Sequence, residues 1–119
     1  MKTVLIVDDS EFMRKLIAKH LAKLDVNIAG EAEDGKIAVE KFIELNPDIV
    51  TLDLAMHEHG GLEALRKMMQ HNPDTKVIIV CSTAGQNTVI DEAKELGACA
   101  IINKPLKNEE LETAIQNLL

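Results

Sequence analysis

The sequence of 119 residues is poor in aromatic side chains, with no tryptophan, no tyrosine and two phenylalanines, Phe12 and Phe42. Its net charge is −7 at neutral pH, and it contains no block of basic residues. Proteins that bind nucleic acid neutralise phosphates with lysine and arginine, and those that bind single strands also stack bases on aromatic rings. The composition therefore argues against direct contact with nucleic acid.

Long apolar runs and a set of paired cysteines are also missing. No unbroken apolar run exceeds five residues, as at Val77–Cys81, whereas a membrane-spanning helix needs about 20. The N-terminus reads MKTVLIVDD and lacks the apolar region and cleavage site of a signal peptide. Two cysteines, Cys81 and Cys99, do not make a disulfide framework. We therefore expect no membrane insertion and a cytoplasmic location.

The chain does contain short apolar runs that alternate with segments of helical periodicity. Its hydrophobic fraction of 46% is sufficient for a buried core. The runs, rich in Val and Ile, predict five buried strands, and a helix is predicted after each of them. The predicted strands are Val4–Val7, Val26–Ala29, Asp48–Leu52, Lys76–Cys81 and Ala100–Asn103.

This strict alternation predicts a doubly wound α/β fold, in which a five-stranded parallel sheet is covered by helices on both faces. We expect residues 1–119 to form one domain. Gly30 and Gly35 are predicted to flank the second strand and its loop, and Asn108 is a predicted N-cap of the last helix. In such folds ligands bind beyond the carboxyl ends of the strands.

Polar side chains suited to chemistry follow four of the predicted strands. Two carboxylates about 4 Å apart repel by roughly 1 to 4 kcal/mol, so a cluster of them favours a hard divalent cation, most plausibly Mg²⁺. Metal, lysine and hydroxyl together are suited to phosphoryl transfer to a carboxylate. Each residue alone is better explained as a loop acid, a turn hydroxyl or a surface lysine, but all of them fall at one edge. These residues are Asp8, Asp9 and Ser10 after strand one, Asp53 after strand three, Ser82 after strand four and Lys104 after strand five.

Four segments resemble the receiver domain of two-component response regulators, and the resemblance covers essentially the whole chain. The CSTAGQ stretch at 81–86 is also similar to that of some chemotaxis proteins, so the chain most resembles a CheY-type single-domain chemotaxis regulator. The resemblance implies the flavodoxin-like (βα)5 receiver fold. The four segments are VLIVDDS at 4–10, PDIVTLDLAM at 47–56, VIIVCST at 77–83 and INKP at 102–105.

The resemblance also implies a phosphoacceptor and a metal site. Asp53 would receive a phosphoryl group from a phosphohistidine of a partner histidine kinase. Mg²⁺ would be bound by Asp9, Asp53 and the main-chain carbonyl of Ala55, with Asp8 holding the ion through water.

The remaining implied roles concern the response to phosphorylation. Lys104 would pair with a phosphoryl oxygen, and its peptide bond to Pro105 would be cis. Ser82 would move to hydrogen-bond the phosphoryl group. A face built from helix four, strand five and helix five would report the change to a target protein, such as a flagellar switch component, and a phosphatase would be a further partner.

The sequence departs from the family pattern at three places. Ile101 stands three residues before Lys104, where the family has an aromatic residue whose rotation accompanies the switch. Either Ile101 packs in the same way before and after phosphorylation, or the output is coupled through movement of helix four instead. Ala55 and Ala84 cannot position a water, which predicts slow loss of the phosphoryl group. In the loop Met56–Gly61, where the family commonly has Met-Pro with a Gly a few residues on, this chain has His57 in place of the proline and gains Gly60 beside Gly61, which predicts a more flexible loop.

That segment also contains His57, Glu58 and His59, which suggest a second metal site of the transition-metal type. Two exposed histidines without a third fixed ligand are more often solvated loop residues, and this interpretation stays the stronger one.

Other functions remain open from the sequence. A receiver-fold adaptor that binds partners without being phosphorylated would explain the altered loop and the missing aromatic. An excised receiver of a larger transcriptional regulator would have the same motifs. An aspartate-dependent phosphohydrolase would also use acidic strand ends and Mg²⁺, but it would want a second aspartate two residues after its nucleophile, where this chain has Ala55.

Overall fold

The chain folds around a parallel β-sheet with helices on both faces. The computed structural model describes residues 1–56, 60–82, 87–106 and 109–119. Within these ranges the elements are, in chain order, β1 Lys2–Val7, α1 Glu11–Leu21, β2 Val26–Ala32, α2 Gly35–Leu45, β3 Ile49–Leu52, α3 Gly61–His71, β4 Lys76–Cys81, α4 Asn87–Leu96, β5 Ala100–Asn103 and α5 Glu110–Gln116.

The sheet has the strand order β2-β1-β3-β4-β5, and all its neighbouring strands are parallel. This is the flavodoxin-like order of a doubly wound sheet, so the predicted fold class is confirmed. The direction of winding reverses between β1 and β3. At such a reversal the loops that follow the two strands separate, which leaves a crevice at the carboxyl ends of β1 and β3.

Alternate side chains of the strands supply two cores. Leu5 and Val7 face the core formed with α2, α3 and α4. Val4 and Ile6 face the core formed with α1 and α5. Because β1, β3 and β4 are buried on both faces, they are nearly continuous apolar runs, whereas the edge strand β2 is partly exposed and contains Asn27 and Glu31.

Three predicted strand boundaries were wrong. The first strand begins at Lys2, two residues earlier than predicted. The second strand continues to Ala32, so Gly30 lies inside β2 rather than beside it. A Cβ atom at Gly30 would be 3.0 Å from Leu45 Cδ1, so the strand passes too close to α2 for a larger residue to fit freely. The third strand begins at Ile49 rather than at Asp48, whose side chain accepts a hydrogen bond from the main-chain N–H of Thr3 while its main chain still bonds to Thr3 and Lys76.

The helix ends follow ordinary capping chemistry. Ser10 caps α1 by accepting a hydrogen bond from the N–H of Met13, and Asp34 caps α2 in the same way. Asn46 ends α2 in the left-handed conformation, with φ of 47°. The predicted N-cap Asn108 lies outside the described residues. Across the described ranges, no helix combines the length and the apolar character needed to cross a bilayer.

Candidate functional site

The carboxyl ends of β1, β3 and β5 bring Asp8, Asp53 and Lys104 together. Lys104 Nζ lies 2.9 Å from Asp8 Oδ2 and 3.3 Å from Asp53 Oδ2. The main-chain N–H of Lys104 donates to the carbonyl of Cys81 at the end of β4, which holds the lysine at this edge. One ammonium group therefore faces two carboxylates that are 45 residues apart in the chain.

Three carboxylates form an acidic cluster at this edge. Asp8, Asp9 and Asp53 can each offer one oxygen, and these oxygens lie within 4.8 Å of one another. Asp8 and Asp53 are buried, whereas Asp9 is exposed. An all-oxygen donor set that is open to water on one side suits Mg²⁺, which retains several waters when it binds proteins. The residues present therefore fit this ion.

Asp53 is a buried carboxylate with a partner on each side of its carboxyl group. Its Oδ1 accepts the main-chain N–H of Ala55 at 3.0 Å, and its Oδ2 faces Lys104. Burial raises the pKa of Asp53 above its ordinary value, although the Ala55 hydrogen bond and the charge of Lys104 act in the opposite direction. The charged form is thus incompletely compensated, and an added cation would favour it.

Lys104 remains a cation in this environment. Burial by itself would lower the pKa of its ammonium group, but Asp8 and Asp53 outweigh burial and raise the pKa above the ordinary value. The peptide bond from Lys104 to Pro105 is cis, as the resemblance implies.

Gly61 explains how closely α3 approaches the acidic cluster. A Cβ atom there would lie 2.5 Å from the carbonyl oxygen of Asp53 and 2.5 Å from Leu54 Cα. At Gly60, the nearest atom to an added Cβ would be 3.9 Å away. The sequence suggested loop flexibility for this pair of glycines. For Gly61 the structure shows a different reason, which is close contact between two backbones.

Two further predicted site residues, Ser82 and Ile101, lie next to β4 and in β5. Ser82 directly follows β4 and is exposed. Ile101 pairs with Ile79 in the sheet and packs, half-buried, against the core of α2, α3 and α4. The residues His57, Glu58, His59 and Ala84 lie outside the described residues.

Sequence reasoning missed Arg14, which contacts the cluster from α1. Its Nη1 donates to the main-chain carbonyl of Asp8 at 2.7 Å, and its Nε donates to Glu31 Oε1 at 3.0 Å. A lone arginine on a helix carries no signal for such a role. Only the packing of α1 against the end of β2 reveals it.

Comparison with known proteins shows which family the chain is similar to. A family model described as response regulator receiver domain matches residues 4–116. The chemotaxis protein CheY of Thermotoga maritima is 43% identical over 117 residues, which are 98% of this chain and 97% of that protein. CheY of Bacillus subtilis is 40% identical over 116 residues, covering 98% of this chain and 96% of the relative.

A solved structure shows the same fold. The crystal structure of the CheX-CheY-BeF3-Mg+2 complex from Borrelia burgdorferi matches with a TM-score of 0.90 at 31% identity, over 98% of this chain and 88% of the solved chain. The family match covers nearly all of the sequence, and the acidic edge lies where a doubly wound sheet binds ligands. This chain belongs to the response regulator receiver domain family, whose members act as signalling switches rather than as conventional enzymes.

Proposed function

We propose that the chain is a phosphorylation-dependent chemotaxis regulator that accepts a phosphoryl group on Asp53 in the presence of Mg²⁺. The observation that carries this proposal is the position of the Asp53 carboxylate. It is 3% exposed, lies in one cluster with Asp8 and Asp9, and faces Lys104 Nζ at 3.3 Å. A nucleophilic carboxylate, an acidic metal cluster and a fixed ammonium are the groups that phosphoryl transfer requires.

The proposed reaction transfers a phosphoryl group from a phosphohistidine of a partner kinase. A carboxylate oxygen of Asp53 attacks phosphorus, the P–O bond forms, and the P–N bond to the imidazole breaks. Lys104 pairs with a phosphoryl oxygen, and Ser82 donates a hydrogen bond to another. Asp9, Asp53 and the carbonyl of Ala55 would hold Mg²⁺, with Asp8 holding it through water, and the ion would neutralise phosphoryl charge.

The partners follow from the same proposal. A histidine kinase supplies the phosphoryl group, and a downstream target such as a flagellar switch component binds the phosphorylated chain. A phosphatase removes the group; the solved relative in complex with CheX is a CheY chain bound to another protein. Ile101, half-buried on β5, lies on the face that we propose reports phosphorylation to the target.

The test is incubation with acetyl phosphate and Mg²⁺, followed by intact mass. Wild type should gain the mass of one phosphoryl group and lose the gain when Mg²⁺ is chelated. Asp53→Asn should gain nothing. Asp74→Asn is the matched control, because Asp74 is an exposed aspartate that precedes β4 at the opposite edge of the sheet. It should be modified as wild type is.

Two of the other functions can be distinguished by this experiment and related assays. A receiver-fold adaptor would show no adduct and no spectral change with beryllofluoride and Mg²⁺. A phosphohydrolase would turn over a generic phosphomonoester, and Asp53→Asn would abolish that turnover. An unmodified wild-type chain under saturating acetyl phosphate would contradict the proposal.

A further inference from the structure

The guanidinium of Arg14 joins three elements next to the acidic cluster. Its Nη1 donates to the main-chain carbonyl of Asp8 at 2.7 Å, and its Nε donates to Glu31 Oε1 at 3.0 Å. The arginine side chain is 14% exposed, so it is held in place rather than extended into solvent. Arg14 lies on α1, Glu31 lies on β2, and Asp8 follows β1. The contact therefore fixes these elements relative to one another.

A β-bulge places Glu31 on the side of α1. The β1–β2 register shifts between the pairs Val4–Ile28 and Leu5–Gly30, so β2 contains one extra residue there. A one-residue shift moves the following side chains to the opposite faces of a sheet. After the shift Ala32 packs in the core of α2, and Glu31 points to the opposite face, where it meets Arg14.

The opposite side of Glu31 is also anchored. Lys41 of α2 donates from its ammonium group to the main-chain carbonyl of Glu31. Glu31 is therefore contacted by α1 through its carboxylate and by α2 through its backbone. An anchored acceptor limits the positions that the Arg14 guanidinium can take, because arginine donates in a rigid planar fork.

The atom that Arg14 contacts belongs to the peptide bond that joins Asp8 to Asp9. The N–H of Asp8 donates to the carbonyl of Ala32 at 3.1 Å, so the backbone of Asp8 is held on both sides. Rotation of this peptide would change the directions in which the two carboxylates leave the backbone. Holding its carbonyl oxygen therefore holds the acidic pair in one arrangement.

We propose that Arg14 is a positioning residue for the acidic cluster, and that it acts by fixing the Asp8–Asp9 peptide. The proposal rests on the proposed function, since it assumes that the cluster binds Mg²⁺. For the loss of Arg14, it predicts a change in Mg²⁺ affinity of the opposite sign to the change that simple electrostatics predicts. If Arg14 acted only as a nearby positive charge, its removal would strengthen cation binding. If it positions the carboxylates, its removal weakens cation binding.

The test is titration with MgCl₂ followed by backbone amide chemical shifts, a readout that needs no tryptophan or tyrosine. Arg14→Gln should raise the Mg²⁺ dissociation constant about tenfold, the lower end of the usual effect of losing a group that orients a ligand. Arg14→Lys keeps the charge but cannot reproduce both bonds, and it should raise the constant by more than about twofold. Shifts of the Asp8 and Asp9 amides before any Mg²⁺ is added report the backbone directly.

The matched control is Arg66→Gln. Arg66 is an arginine of α3 that is half exposed and pairs with Glu63 at 2.5 Å. The substitution changes the net charge by the same amount, and the dissociation constant should stay within about twofold of wild type. Thermal unfolding in chelator measures the stability of each variant separately, so a loss of affinity is compared among chains shown to be folded.

Three results would overturn the proposal: Arg14→Gln binds as tightly as wild type or more tightly, Arg66→Gln loses as much affinity as Arg14→Gln, or Arg14→Lys is unchanged. If Arg14→Gln does not fold, the result with Arg14→Lys decides. A wild-type chain that shows no saturable shifts with Mg²⁺ would contradict the proposed function itself. Normal wild-type binding with unchanged Arg14 variants would contradict only this inference.

Discussion

Two sites in this molecule pair carboxylates with basic side chains and have opposite electrostatics. Between α1 and α5, Glu112 Oε1 lies 2.6 Å from His20 Nδ1 and 3.4 Å from Lys23 Nζ. These contacts, chiefly the hydrogen bond with His20, lower the pKa of Glu112 below its ordinary value. At the carboxyl edge of the sheet, burial raises the pKa of Asp53.

The difference separates a contact that stabilises the fold from a site prepared for a ligand. Glu112 meets two basic partners near the surface, so its charge is favoured in the folded chain. Asp53 and Asp8 share Lys104, and Asp9 adds a third carboxylate whose oxygen lies within 4.8 Å of theirs. Excess negative charge in a buried position costs stability and becomes favourable only when a cation binds.

Removing the ammonium group at the carboxyl edge should have the largest effect on stability. Lys104→Ala leaves the buried carboxylates of Asp8 and Asp53 without this partner, and we expect a loss of about 3 kcal/mol of unfolding free energy in chelator. Urea denaturation measures it. Mg²⁺ should restore more stability to this variant than to wild type, since the ion would replace the lost positive charge.

Lys15→Ala is the comparison for this variant. Lys15 forms a surface pair with Glu11, and both side chains are more than 70% exposed. Its loss should change the unfolding free energy by less than about 1 kcal/mol. Equal losses in the two lysine variants would remove the distinction between the edge and an ordinary surface.

Gly61, which lies against the backbone of the carboxyl edge, should tolerate an added side chain less well than its neighbour Gly60. Gly61→Ala forces a methyl group to within 2.5 Å of the Asp53 carbonyl, and we expect a loss of about 2 kcal/mol. Gly60→Ala meets no atom closer than 3.9 Å. Because Gly60 is the N-cap of α3, this control should still lose up to about 1 kcal/mol. Chemical denaturation of both variants measures the difference, and a larger loss in Gly60→Ala would contradict the close approach of α3.

Neutralising Asp53 should stabilise the chain in the absence of Mg²⁺. Because the folded-state pKa of Asp53 is raised, its ionisation costs stability as the pH rises through that value. Asp53→Asn should therefore be more stable than wild type by about 1 kcal/mol at pH 7. The advantage should shrink as the pH falls from the raised folded-state pKa of Asp53 towards the ordinary aspartate pKa, and it should be absent below the ordinary value. Thermal unfolding across pH measures this difference. A less stable Asp53→Asn at pH 7 would show that the negative charge of Asp53 is already compensated in the folded chain without Mg²⁺.

Neutralising Glu112 should have the opposite sign and the smallest size. Its lowered folded-state pKa means that its contribution to stability is present above the ordinary glutamate pKa and is lost as the pH falls through the lower folded value. Glu112→Gln should lower the melting temperature slightly at pH 7, and its difference from wild type should vanish in acid. Glu92→Gln, an exposed change on α4, should show no such pH dependence. A gain in stability from Glu112→Gln would show that the charge of Glu112, like that of Asp53, is unfavourable in the folded chain.

The position of the site could be predicted from the sequence because it depends on one rule of topology. Parallel strands in a β/α fold all end at the same edge, so polar residues directly after apolar runs must meet there. Asp8, Asp53 and Lys104 satisfy that rule. Their distances and the direction of the pKa of Asp53 could not be predicted, because they depend on burial and on side-chain packing.

The contacts that hold the site in place could not be predicted either, because they also depend on strand pairing and packing. Glu31 reaches Arg14 only because of a bulge in β2, and a bulge is a property of strand pairing that apolar periodicity does not reveal. Gly30 lies inside β2 although glycine usually marks a turn or loop, so its position in the sequence predicts the wrong strand end. His20 and Glu112 are 92 residues apart and meet only through the packing of α1 against α5.

Reductive trapping with borohydride tests the central claim most directly. Borohydride reduces an acyl phosphate to an alcohol, so a phosphorylated aspartate is converted permanently and can be located by peptide mass mapping. We predict that, after treatment with acetyl phosphate and Mg²⁺, the converted residue is Asp53, and that omission of Mg²⁺ abolishes the conversion. Conversion of Asp8 or Asp9 instead, or none at all in a chain that is shown to be folded, would contradict the account.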